Sequence, residues 1–319
     1  MPRGNDQHAA PTTAGRAPDE GALPARRGPG RGRARAATPQ GAHTMTTVVF
    51  DHTTTGYRVP HALCLAHAAK LAYADPDTAR RQAAEWGFDR FRFFEADFAP
   101  PFALDHTQGF TMAGDDMVVT AFRGTEPTQI MDWLSDGKAP LVRHSSRRGR
   151  AHWGFSTAVD AVYTELRGAV EEFRTAGQSL WFTGHSLGGA LAVLAAARLH
   201  FEPPSLPADG VYTFGQPRTC DRELAVAYDE ALRGRTHRFV NNNDVVAQAP
   251  PGPLYTHVAE ERYFDADGRL HAKAPGLLGR VSDRARGYAL DAAAFRPDAD
   301  GITDHFIDAY IACLEAAGR

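Results

Sequence analysis

Three cysteines in 319 residues, Cys64, Cys220 and Cys313, are few, odd in number and without paired spacing. That argues against both a disulfide framework and a zinc site. No apolar run approaches the roughly 20 residues that span a bilayer, so no membrane helix is expected. No continuous apolar stretch near the N-terminus has the form of a secretory signal. A net charge of -3 gives no global electrostatic reason to expect nucleic acid as a partner. Internal repeats are absent too. Together these absences predict a soluble, cytoplasmic protein.

Large apolar residues are almost missing from residues 1–44, where Leu23 stands nearly alone among Gly, Pro and Ala. Seven arginines (Arg3, Arg16, Arg26, Arg27, Arg31, Arg33, Arg35) face only Asp6, Asp19 and Glu20 there. Such a segment buries too little surface to offset its ordering entropy, so disorder is expected. Pro and Gly break the amphipathic helix that a transit peptide would need. The segment reads as an upstream extension, with Met45 an alternative start and residues 45–319 a single domain. A basic arm for nucleic acid or membrane is the less supported reading.

What is present is an alternation of strands and helices. An Ala/Leu-rich helix is predicted from Pro60 to Tyr73, stopped at Asp75-Pro76. Phe91–Phe94 reads as a strand, and Gln108–Met112 with Met117–Phe122 as a hairpin. Ser156–Ala176 has helical periodicity, with Val159, Val162, Tyr163, Leu166, Val170 and Phe173 on one face. Then follow strand Ser179–Thr183, helix Leu187–Leu199, strand Gly210–Phe214, helix Arg222–Leu232 and strand His237–Asn241. This order implies an α/β fold, a largely parallel sheet covered on both faces. In such sheets active sites lie beyond the carboxyl ends of the strands.

The sharpest local signal is Gly184-His185-Ser186-Leu187-Gly188-Gly189, lying between an apolar strand and an apolar helix. A serine on a tight strand-to-helix turn lifts its hydroxyl clear of the sheet. The bend crowds its flanks, which is why Gly184 and Gly188 lack side chains, with His185 as a further support of the elbow. The bland alternative is a glycine-rich structural turn. A serine hydroxyl becomes a nucleophile when a histidine takes its proton and a carboxylate orients that histidine. In the order Ser, acid, His, the acid falls just after a later strand, where Asp244 stands. Its rivals Asp221 and Asp229 read as a helix cap and a solvated face. For the base, His305 enters the final amphipathic helix (Phe306, Ile307, Tyr310, Ile311, Leu314). His257 is the rival and also a candidate structural histidine; His271 reads as solvated.

The oxyanion of acyl transfer needs two preorganised donors. The Leu187 N–H supplies the first, and Thr125, in Arg123-Gly124-Thr125 after strand Met117–Phe122, is the candidate second; a plain turn is the alternative. Beyond it, Pro127 and the apolar Ile130, Met131, Trp133 and Leu134 read as a short amphipathic helix over the site mouth. It is either a mobile cover that opens at a lipid surface or a helix packed permanently on the core.

At this point the residues resemble the class 3 (fungal-type) triacylglycerol lipases and their bacterial relatives. The motifs are Ala121-Phe122-Arg123-Gly124-Thr125, Asp132-Trp133, His152-Trp153-Gly154-Phe155, Thr183 to Leu191, and Thr213-Phe214-Gly215-Gln216-Pro217-Arg218. Asn243-Asp244-Val245-Val246 and Asp304-His305 complete the series. The resemblance implies an α/β-hydrolase fold, a triad of Ser186, Asp244 and His305, and an oxyanion hole of Thr125 with Leu187. His152 falls in a motif that looks structural. The implied substrate is a lipid or small ester, with transient contact to a lipid interface and neither metal nor organic cofactor. Rival readings are a phospholipase A1, a galactolipase or a short-chain esterase with the same triad, and a non-catalytic lipid-binding protein. The last predicts a missing triad member, and none is missing. The chain departs from the family in a longer polar stretch near 265–300, and Ala247 stands where a proline usually follows the acid.

Overall fold

The structure, a computed structural model, describes residues 50–98, 106–125, 140–272 and 303–319. The N-terminal tail, the segment carrying Ile130, Met131 and Trp133, and the 273–300 part of the polar stretch lie outside these residues.

The helices are α1 (Val59–Leu71), α2 (Pro76–Glu85), α3 (Trp153–Phe173), α4 (Leu187–Phe201), α5 (Arg222–Ala231) and α6 (Ile307–Ala317). Eight strands form one sheet: β1 (Arg90–Asp97), β2 (His106–Ala113), β3 (Met117–Phe122), β6 (Ser179–His185), β7 (Gly210–Phe214), β8 (Thr236–Asn241), β9 (Glu260–Phe264) and β10 (Leu270–His271). They lie in the order β1-β2-β3-β6-β7-β8-β9-β10. A separate two-stranded pair joins β4 (Leu141–Arg143) and β5 (Arg150–His152). From β3 to β9 all neighbours are parallel, whereas β1, β2 and β10 attach antiparallel at the edges.

Central parallel strands must be apolar on both faces because helices cover both. β6 is buried along its whole length from Ser179 to His185, with the apolar Leu180, Trp181 and Phe182 at its centre. Alternation along the strand sends Leu180 and Phe182 into a core built with α3, α4 and α5. Trp181 points the other way, into a core built with α1, α2 and α6. α4 is apolar nearly all round, with only Arg198, His200 and Phe201 outside the buried set, as a helix wedged between sheet and α3 requires. With mostly parallel strands flanked by helices and a sharp turn from β6 into α4, the fold is that of the α/β hydrolases.

Several expectations change. Asp75-Pro76 ends the first helix but also starts another: Asp75 caps α2 by accepting from the Thr78 N–H at 3.0 Å, with Pro76 at its first position. Within the polar stretch of 265–300, Leu270–His271 turns back to pair with β9. Phe306, expected on the buried face of the last helix, precedes α6 and is 45% exposed. Asp229 does not face solvent: it is half-buried and accepts the Ala259 N–H at 2.7 Å.

Candidate active site

The site forms where β3, β6, β7 and β8 end. At the tip of β6 the chain turns through Ser186, which has φ 58° and ψ -129°. A non-glycine residue in that region is strained and persists only where its surroundings enforce it. They do: the Ser186 N–H donates to the Phe214 carbonyl at 2.8 Å, and the Gly189 N–H to the Ser186 carbonyl at 3.0 Å. A Cβ on Gly184 would strike the Gly188 backbone, and one on Gly188 would strike the Phe122 carbonyl at the end of β3. Both glycines are therefore required by close approach. Leu187 is the first residue of α4, so its N–H is among those with no acceptor inside the helix.

β3 runs parallel to β6 with Phe122 opposite Gly184, so Arg123-Gly124-Thr125 emerges beside the elbow. Gly124 packs against the His185 carbonyl and the Ser186 Cβ. Thr125 follows it, half-buried.

Beyond β8, Asp244 is fully buried, and its Oδ1 accepts the backbone N–H groups of Val246 at 2.9 Å and Ala247 at 3.3 Å. The His305 Nδ1–H donates to it, 2.9 Å from Oδ2 and 3.0 Å from Oδ1. Burial alone would raise the Asp244 carboxyl, but the His305 imidazole and the hydrogen bonds from His305, Tyr310 and Ala247 outweigh it. The carboxyl is therefore held below its ordinary value and stays ionised. Because Nδ1 donates to the carboxylate, Nε2 carries the free lone pair of the neutral ring.

Ser186 Oγ and His305 Nε2 are among the buried polar atoms of the site that have no hydrogen-bond partner among the described residues. These are the two atoms that a proton transfer from serine to histidine would use.

The base is anchored from several directions. The Asn241 Nδ2–H donates to the Asp304 carbonyl at 3.0 Å, and the Asn243 N–H to the Asp304 carboxylate at 3.0 Å. The loop after β8 and the residue before His305 are thereby tied together. Tyr310, one and a half turns beyond His305, donates its hydroxyl to Asp244 Oδ2 at 2.5 Å and accepts the Asn241 N–H at 3.0 Å. Sequence periodicity placed Tyr310 on the apolar face but gave no sign that its hydroxyl would meet the acid. Tyr73, just after α1, likewise carries no sequence signal of its place in the site. Its hydroxyl lies 2.7 Å from His185 Nδ1, while His185 Nε2 lies 2.6 Å from the His305 carbonyl.

The rivals occupy other places. His257 Nε2 donates to the Ala247 carbonyl at 2.8 Å, bracing the acid loop from below. His271, exposed at the end of β10, pairs with Asp265 at 2.7 Å. Asp221 caps α5 through the Leu224 N–H at 3.0 Å. His152 is buried, and burial pushes its imidazole down to about 4, so it is neutral. Ile130, Met131 and Trp133 lie outside the described residues.

Parts of the chain are similar to known lipases. Residues 119–253, from β3 through the elbow and the acid loop, match the family model for lipase (class 3). The chain is 34% identical over 117 residues to secreted mono- and diacylglycerol lipase 1 of Fusarium solani, covering 36% of this chain and 34% of that protein. It is 28% identical over 193 residues to phospholipase A1-IIalpha of Arabidopsis thaliana, covering 50% of this chain and 44% of the relative. The solved structure of lipase II from Rhizopus niveus superimposes with a TM-score of 0.53 at 22% identity, covering 64% of this chain and 80% of that one. The last likeness concerns the fold. The chain spans between a third and just over half the length of the first curated relatives it matches. These likenesses support the class 3 lipase family.

Proposed function

We propose that this protein is a serine carboxylic-ester hydrolase, a lipase acting on acylglycerols, with Ser186 as nucleophile, His305 as base and Asp244 as its orienting acid. The observation that carries the reading is the pair of buried, unpartnered atoms Ser186 Oγ and His305 Nε2 at the end of an otherwise satisfied chain from Asp244. His305 Nε2 takes the Ser186 proton as Oγ attacks the ester carbonyl, and the Oγ–C bond forms as the carbonyl π pair moves to oxygen. The N–H of Leu187 and Thr125 hold that oxyanion. The C–O bond to the alcohol then breaks, and His305 returns the proton to the leaving oxygen. Water, deprotonated in turn by His305, attacks the acyl carbon; the C–Oγ bond breaks, His305 returns the proton to Ser186 Oγ, and the carboxylic acid leaves. The ionised Asp244 stabilises the imidazolium formed in each step.

The likeness to a secreted mono- and diacylglycerol lipase favours an acylglycerol substrate; the substrate is met by transient contact with a lipid interface. The phospholipase A1 likeness keeps a second reading, cleavage of a phospholipid acyl ester by the same triad. Selectivity between them resides in pocket shape rather than in the fold. Hydrolysis of p-nitrophenyl esters from acetate to palmitate, with Ser186→Ala alongside, tests the proposal. Long-chain activity that disappears in the variant supports it. Activity confined to acetate and butyrate points to an esterase, and equal activity in the variant overturns the nucleophile.

A further inference from the structure

Resting on the triad reading above, we infer that Tyr73 and His185 act together as a positioning pair that fixes the main chain of His305 relative to the nucleophile and the oxyanion turn. A carbonyl only accepts, so the 2.6 Å contact requires His185 Nε2 to carry the proton and donate it to the His305 carbonyl. Its Nδ1 is then a lone pair, and it accepts from the Tyr73 hydroxyl at 2.7 Å. One tautomer is thereby selected at both ends.

Tyr73 also reaches the third loop of the site. Gly124 lies so close to its hydroxyl that a Cβ there would collide with it, and the Arg123 guanidinium sits 5.7 Å from its ring centroid. A single phenol thus touches the oxyanion turn directly, the elbow through His185, and the base through the His185 hydrogen bond. The His185 ring additionally packs at 4.6 Å from the His305 ring.

Geometry is reinforced by charge. Burial, followed by the neighbouring His305, pushes His185 down to about 3. It remains neutral, so the positive charge formed in the reaction resides on His305 alone, opposite Asp244. A charged ring at 4.6 Å would oppose that step.

Displacing a catalytic group by a fraction of its working distance lowers turnover by up to about a hundredfold without touching substrate binding. The test uses the full chain with p-nitrophenyl butyrate and compares His185→Phe, His185→Gln, Tyr73→Phe and the His185→Phe/Tyr73→Phe double variant. His185→Phe keeps a planar ring but removes both hydrogen bonds, and kcat is expected to fall roughly 30-fold with KM within about twofold. Tyr73→Phe, which only deletes the hydroxyl, is expected to lower kcat by about three- to tenfold. His185→Gln carries a donor and an acceptor and is expected to recover most of the loss. The double variant should lie close to His185→Phe, because the Tyr73–His185 hydrogen bond is already absent in the single variant.

Folded variants with kcat within about twofold of wild type would overturn the inference, as would a loss expressed in KM, or His185→Gln as poor as His185→Phe. Should His185→Phe fail to fold, the near-isosteric Tyr73→Phe decides alone, by the same kcat criterion. Activity that survives Ser186→Ala would overturn the triad reading and this inference with it. Any of the other results overturns this inference alone.

Discussion

The two ends of β8 treat buried histidine in opposite ways. At the amino end, His237 is 2% exposed, and neither ring nitrogen has a hydrogen-bond partner among the described residues. It is packed as an aromatic plate, 4.9 Å from Tyr212 and 5.2 Å from Tyr57, and burial drives it down to about 4. Beyond the carboxyl end, His305 is equally buried, yet its Nδ1 meets an ionised carboxylate and only Nε2 is left over. An orphaned polar atom therefore does not by itself mark a site. What distinguishes His305 is a single orphan at the end of a charged, fully hydrogen-bonded chain, with a second orphan on a strained serine.

The comparison is broken most severely by substitutions at the carboxyl end. Ser186→Ala should lower kcat by at least roughly 10³-fold, and Asp244→Asn by about 10⁴-fold by disturbing the tautomer of His305. Single-turnover hydrolysis of a chromogenic ester, with melting curves to show that the fold survives, measures both. Losses under tenfold would put the chemistry elsewhere. Next in size is Tyr310→Phe. It removes a charge-assisted hydrogen bond from Asp244 and leaves the Asn241 N–H without its acceptor. Lost stability of about 1–3 kcal/mol is expected in urea unfolding, with a several-fold fall in kcat.

The same contrast explains what could be read from the amino-acid sequence. The elbow was legible because its requirement is local: a strained serine flanked by residues that cannot carry a Cβ. The central strands were legible because a parallel strand buried on both faces is a plain apolar run, and Gly210–Phe214 was predicted with the bounds that the structure has. Asp221 as a cap followed from its place before the helix. Tyr310 and Tyr73 were not legible, because periodicity reports which face a side chain takes and not where the tip of a phenol ends. α2 was missed for a different reason. Asp75-Pro76 is both a stop for one helix and the cap and first residue of the next. β4 and β5, three residues each, are too short for any period to show.

A smaller effect tests how the neutral histidines respond to acid. Burial holds His144, His152 and His237 at about 4, and His185 at about 3, against 6.5 for the free side chain. Below pH 6.5 the unfolded chain binds protons that the folded one refuses, so stability falls as pH falls and the loss levels off only below about 4. By pH 5.5 each such histidine removes on the order of 1 kcal/mol. Melting temperature measured from pH 7 to pH 5 should drop steadily. A flat profile would mean that these rings take up protons in the folded state.

The smallest expected effect belongs to the amino end of β8 itself. His237→Phe replaces a neutral ring by an apolar one of similar shape beside Tyr57 and Tyr212. No hydrogen bond from the ring is lost among the described residues, so stability at pH 7 should stay within about 1 kcal/mol of wild type or rise, because two unpaired nitrogens leave the interior. Ester turnover should remain within about twofold, since the ring lies at the opposite end of the strand from Asp244. The one property expected to change is the acid response. One proton fewer is taken up on unfolding between pH 6.5 and 4, so the slope of stability against pH should become shallower by that single proton. Urea unfolding at pH 7 and pH 5 for both proteins measures it. An unchanged slope would mean that His237 is not the neutral plate that its packing implies, and a large loss of turnover would mean that the two ends of β8 are coupled rather than independent.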